Sequence, residues 1–220
     1  MGNRETFNSP GFQWISVGSG IEHAEGGGTP AGQNTHGFQI WLRMPLSKME
    51  NDPRYGTVHP HEIPTVNMPG YECRVIAGSL DGTEGPAKFS VNVQILDMKL
   101  DAGAECTYQL PEGMDNVMFY PYKGDGTLNG SGEQIKSQQI CRFNTETGCK
   151  TALFKAGSNG CSLMIFAGKM TRERIIWHGP FVCSSNDNLR QCFTQYQMGR
   201  FPPKRVDWDY KNVRAHPGGR

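Results

Sequence analysis

The stretch 90-SVNVQILDMKL-100 changes phase in its middle. Val91, Val93 and Ile95 fall on one face of an extended chain, and Leu96, Met98 and Leu100 then take over the apolar role. Side chains on a strand alternate between faces, so the period of two predicts a strand, and the flip between Ile95 and Leu96 predicts a β-bulge. Working outward, 161-CSLMIFAG-168 is apolar on both faces, as a fully buried strand would be. In 36-HGFQIWLR-43, Phe38, Ile40 and Leu42 alternate with Gln39, Trp41 and Arg43, which predicts another strand. Residues 13–17, 71–77 and 117–120 are further strand candidates. Turns are expected at Ser79-Leu80-Asp81-Gly82, Lys123-Gly124-Asp125-Gly126 and Ala156-Gly157-Ser158-Asn159-Gly160.

The 220 residues include 28 glycines and 14 prolines, without a glycine repeat. Many tight turns between short strands follow, and with them a sandwich or barrel. The stretch 51–70 holds four prolines and no periodicity, and reads as a linker between two β units. One helix is expected near the C-terminus: Leu189, Cys192, Phe193 and Tyr196 follow helical spacing, Ser185 or Asn186 can cap its start, and Gly199 follows its end.

The net charge of +1 gives no electrostatic reason to expect nucleic acid or a membrane surface as partner. Lys204, Arg205, Lys211, Arg214 and Arg220 read as a solvated, mildly basic tail. Seven cysteines (Cys73, Cys106, Cys141, Cys149, Cys161, Cys183 and Cys192), an odd number without C-x-x-C spacing, read as free thiols in a reducing compartment.

The chemistry centres on 18-GSGIEHAE-25. His23 and Glu25 are two apart, so on a strand an imidazole and a carboxylate would project side by side, a pairing that suits Fe(II), Mn(II) or a related divalent ion. Alone, H-x-E fits an ordinary surface strand equally well. The H-x-H of 59-HPHE-62 looks like a substitute, but Pro60 between His59 and His61, and Pro64 shortly after, fit a solvated loop better than a ligand-bearing strand.

The run 11-GFQWISVGSGIEHAE-25 resembles the pirin family's Q-W, glycine-rich turn and G-I-x-H-x-E. Further matches follow in the family's order: 36-HGFQIWL-42, Lys48-Met49, Pro53-Arg54-Tyr55, Ile63-Pro64, 74-RVIAG-78, and 178-HGPFV-182 with Asn186 and the helix behind it. The resemblance implies an all-β fold of paired cupin barrels (double-stranded β-helices) with one C-terminal helix. It divides the chain into a partial N-terminal cupin over 1–50, a linker over 51–70, a complete C-terminal cupin over 71–200 and a tail over 201–220. Family members bind one metal, usually iron, through three histidines and a glutamate in the first barrel. His23 and Glu25 occupy the last two ligand positions. The other two histidines come from an earlier H-x-H strand, and no histidine precedes His23 here. The expectation is therefore an N-terminally truncated chain that holds Fe(II)/Fe(III) or another divalent ion weakly. His36 and His178 are expected to be structural, and the second cupin metal-free. Two functions follow from the resemblance. One is a non-enzymatic nuclear or cytoplasmic co-regulator that binds a transcription factor, with no membrane and no direct nucleic-acid contact. The other is a quercetin 2,3-dioxygenase acting on a flavonol, with Glu25 as general base.

Overall fold

Residues 93–100 form the strand that their alternation predicts, and the sheet grows from it. The structure is a computed structural model that describes residues 2–29, 32–128, 132–145 and 148–203; the basic tail from Lys204 onward lies outside them. The strands are β1 (Phe12–Ser16), β2 (Arg54–Val58), β3 (Thr65–Met68), β4 (Tyr71–Ala77), β5 (Ser79–Leu80), β6 (Thr83–Glu84) and β7 (Val93–Leu100). They continue with β8 (Glu105–Gln109), β9 (Asn116–Leu128), β10 (Gln134–Lys136), β11 (Cys141–Arg142), β12 (Thr151–Gly168), β13 (Ile176–His178) and β14 (Phe181–Cys183), followed by the α-helix α1 (Asn186–Gln197).

Two compact units divide the chain. The larger is built mainly from Val58–Met170 and contains one eight-stranded antiparallel sheet in the order β10-β9-β12-β7-β4-β3, with β11 also on β9 and β8 also on β12. Its main apolar core includes Cys73 and Val75 from β4, Leu96, Met98 and Leu100 from β7, Tyr108 from β8, Phe119 from β9, and Leu163 and Ile165 from β12. The expected bulge is present at the Ile95–Leu96 position, but the extra residue belongs to the neighbouring strand. Val75 pairs with Leu96 and Ala77 with Ile95, so Ile76 bulges, whereas β7 keeps an unbroken register with β12. Buried from Gln94 to Met98, β7 tolerates apolar residues on both faces, which accounts for its change of phase.

Two of the three expected turns are corrected. Lys123–Gly126 lies inside β9, and Ala156–Gly160 inside β12, a strand of 18 residues. Gly124 and Gly160 both have φ of +75° and face each other where the β9–β12 register shifts. These glycines bend strands that continue, because the sheet has to turn a corner there. The third turn is a true hairpin: Asp81 and Gly82, at φ 46° and 77°, join β5 to β6.

Of the described residues, 2–7, 13–29, 32–57 and 171–203 make up the smaller unit. Its described regular elements are the β1–β2 pair, a 3-10 turn over Leu46–Lys48, the β13–β14 hairpin and α1. The helix has the predicted limits: Ser185 accepts the Asn188 backbone N–H at its start, and Gly199, at φ 68°, follows its end. Phe181, Cys183 and Phe201 form a small core with Leu189, Cys192 and Phe193 from α1. The strand expected over 36–43 is not formed. The run is irregular, and Phe38, Ile40, Trp41 and Leu42 are 37 to 56% exposed. A strand requires a neighbour to complete its hydrogen bonds, and no described strand pairs with this one. The stretch 51–70 contains β2, a single 3-10 turn over Pro60–Glu62, and β3.

Candidate functional site

The glycine-rich turn before His23 forms as its sequence requires. Gly18, at φ +53°, lies so close to the Asn51 carbonyl oxygen that a Cβ would land on it, and Ser19 N–H donates to that oxygen at 2.9 Å. Gly20, at φ +128°, lies so close to the Phe201 ring that a Cβ would overlap it. The strand expected after this turn is absent. Residues 21–29 have no regular structure, and His23 and Glu25 are both exposed. The i, i+2 rule places side chains on one face only where the backbone is held extended, so the spacing of these two residues does not fix them side by side.

No group of three or more His, Cys, Asp or Glu side chains is arranged to hold a metal among the described residues. A three-histidine, one-glutamate metal does not fit what is present: two exposed donors on irregular chain leave most of a coordination shell to water. His36 has its ring 5.3 Å from Phe38, and His178 sets its ring edge-on to Phe193 at 5.6 Å. Both histidines are exposed, and both of these contacts are with aromatic rings. His59 and His61 stack at 5.9 Å with their planes 9° apart on the exposed 3-10 turn. The neighbouring Glu62 carboxylate accepts the His59 backbone N–H at 2.7 Å, closing that turn.

The larger unit holds a buried polar network that sequence reasoning missed. Asp97 accepts from the Tyr122 hydroxyl at 2.8 Å and from Arg74 Nε at 3.1 Å, with Arg74 Nη2 on the same carboxylate oxygen. The third guanidinium nitrogen of Arg74, Nη1, donates to the Pro10 carbonyl at 3.1 Å. At one end of the core, Tyr108 donates to Gln94 Oε1 at 2.5 Å, and the Gln94 amide donates to the Ser79 carbonyl. The detectable signal was a charge inside an apolar strand: Asp97 between Leu96 and Met98, and Arg74 between Cys73 and Val75. Burial raises the Tyr108 and Tyr122 hydroxyls and pushes the Tyr71 hydroxyl and the Cys73 thiol up to about 12. These groups stay protonated near neutrality and act as hydrogen-bond donors and packing, not as nucleophiles. Beside Gln94 a surface hollow of about 550 Å³ is lined by Glu84, Lys88, Ser90, Asn92 and Met114 among others.

The larger unit is thus an antiparallel sheet packed on an apolar core, with strands that bend at glycines. Residues 95–202 match the family model described as the pirin C-terminal cupin domain. The chain is 27% identical over 200 residues to human pirin, covering 90% of itself and 68% of that protein. To a Pseudomonas aeruginosa protein whose name provisionally assigns it quercetin 2,3-dioxygenase activity it is 30% identical over 194 residues, covering 86% and 66% respectively. The crystal structure of quercetin 2,3-dioxygenase from Acinetobacter baumannii superposes with a TM-score of 0.66 at 20% identity, over 74% of this chain and 55% of that one. The fold class is therefore a cupin, all-β with one α-helix among the described residues. More narrowly, the chain belongs to the pirin family. It spans about two thirds of the length of these two curated relatives.

Proposed function

We propose that the protein acts through binding, as a pirin-type co-regulator of the nucleus and cytoplasm that engages a transcription factor. In this reading His23 and Glu25 are the chain's contribution to the family's metal position, which holds iron or another divalent ion weakly. The observation that carries the reading is the placement of those two donors. Both are exposed on chain without regular structure, whereas oxygenase chemistry needs a fixed site that positions substrate and excludes water. The packed interior of the larger unit supports it further, since that core is closed with apolar side chains and offers a rigid scaffold. No helix among the described residues is long and apolar enough to cross a membrane.

The second reading is a quercetin 2,3-dioxygenase, favoured by the name of the Pseudomonas aeruginosa relative. There a flavonol is the substrate and Glu25 the general base. Flavonol and oxygen consumption by the purified chain with added Fe(II) separates the two. No turnover above free Fe(II), together with iron-dependent capture of a Rel-type transcription factor, is expected. Turnover abolished by Glu25→Gln would favour the oxygenase.

A further inference from the structure

Cys183 and Cys192 were read from the sequence only as two of seven unpaired thiols, and the fold brings them together. Cys183 ends β14 and is 4% exposed; Cys192 lies one helical turn after Leu189 on the face of α1 that covers Phe181. Their Sγ atoms are 3.9 Å apart. The connection between them is short and fixed: it leaves β14, passes the Ser185 cap and enters the helix, with Asn188 N–H donating to Ser185 Oγ at 3.1 Å. A disulfide needs its sulfurs about 2.05 Å apart, so closing the gap takes an approach of roughly 1.9 Å, within reach of side-chain rotation and a small shift of the first helical turns. Cys73, Cys106 and Cys161 are shut inside the larger core, and the exposed Cys149 thiol donates to the Thr151 carbonyl.

We propose that Cys183 and Cys192 form a reversible intrachain disulfide that fastens α1 to the β13–β14 hairpin. The oxidant is a small-molecule disulfide of the glutathione class. The half-buried Cys192 thiolate attacks one sulfur of it, which forms a mixed disulfide and releases one small thiolate. Cys183, deprotonated in turn, attacks Cys192 Sγ and displaces the second thiolate. Two protein thiols become one disulfide, the small disulfide is reduced to two thiols, and atoms and electrons balance. Burial and the neighbouring Cys192 push the Cys183 thiol up to about 11, so the resolving step is slow near neutrality and speeds up as the pH rises. The bridge holds the helix against Phe181; its reduction lets that face of α1 open.

The test uses the folded, unaltered protein equilibrated in glutathione buffers from reducing to oxidising, then acid-quenched, alkylated and digested with trypsin. Cleavage after Arg174, Arg190 and Arg200 puts Cys183 on peptide 175–190 and Cys192 on peptide 191–200. The expected result is a joined species of these two peptides that grows with the oxidised fraction and disappears with dithiothreitol. The inference is overturned if both peptides remain separately alkylated across the series, or if either cysteine is found mainly on glutathione or on another cysteine.

Discussion

Replacing Phe119 by alanine probes whether the larger unit is a filled scaffold or a chamber. Phe119 is fully buried at the centre of that core. Its ring meets Tyr108 edge-on at 5.6 Å and lies 5.4 Å from Phe143. Losing the ring removes about 2 kcal/mol of transfer free energy. A residual void of roughly 80 Å³ adds about 2 kcal/mol at ~24 cal/mol per Å³. The two aromatic contacts, at ~0.5 kcal/mol each, bring the total to about 5 kcal/mol. With a urea m-value of about 2 kcal/mol/M, the midpoint falls by about 2.5 M. Far-UV circular dichroism is the appropriate probe, because residues 58–170 contain no tryptophan. A midpoint that falls by less than about 0.5 M, at unchanged m, would show that the interior is not packed around this ring. The reading of this unit as a closed scaffold would then fail.

Gly124→Ala should cost at least ~3 kcal/mol, because it adds strain at positive φ to a collision with the Gly160 carbonyl. Gly103→Ala, at φ +69° with open space around it, should cost only about 1 kcal/mol, and equal losses in thermal melts would contradict the corner assigned to Gly124. Asp97→Ala should destabilise by about 2–4 kcal/mol, since it strands Arg74 and Tyr122. The double change Arg74→Met with Asp97→Leu should recover most of that in the same urea assay, and additive losses would refute the pairing. Cys73 and Cys161 have folded-state values near 12 against an ordinary 9.0, raised first by burial. The unfolded chain ionises them first, so stability holds below pH 9 and declines between 9 and about 12. Urea midpoints under reductant should drop over that window, whereas a flat profile up to pH 11 would place these thiols in water.

The larger unit was legible because its strands carry their own period. Tyr71–Ala77 and Val93–Leu100 alternate or are buried on both faces, and Leu189 to Tyr196 repeat at helical spacing between a serine cap and a glycine. What failed has a common cause: alternation and glycine content are local, whereas pairing is not. Phe38, Ile40 and Leu42 alternate as a strand should, yet without a paired neighbour they stay irregular. Gly124 and Gly157 look like turn residues, yet β9 and β12 pass through them because each has a partner strand on either side of the bend. Strands of two or three residues, such as Cys141–Arg142, are too short to show a period at all. At the candidate site, the turn Gly18–Gly20 was readable from its glycines, but the roles of His23 and Glu25 rested on resemblance. The Arg74–Asp97–Tyr122 network was visible only as charges out of place in apolar strands.

The central claim, that His23 and Glu25 offer only a weak metal position, is tested most directly by iron content. The protein would be loaded with Fe(II) under argon, passed through a mild chelator and assayed by elemental analysis, beside a His23→Ala control. Iron far below one equivalent, and the same in the control, is the predicted result. Near-stoichiometric iron that is lost with His23→Ala would contradict it.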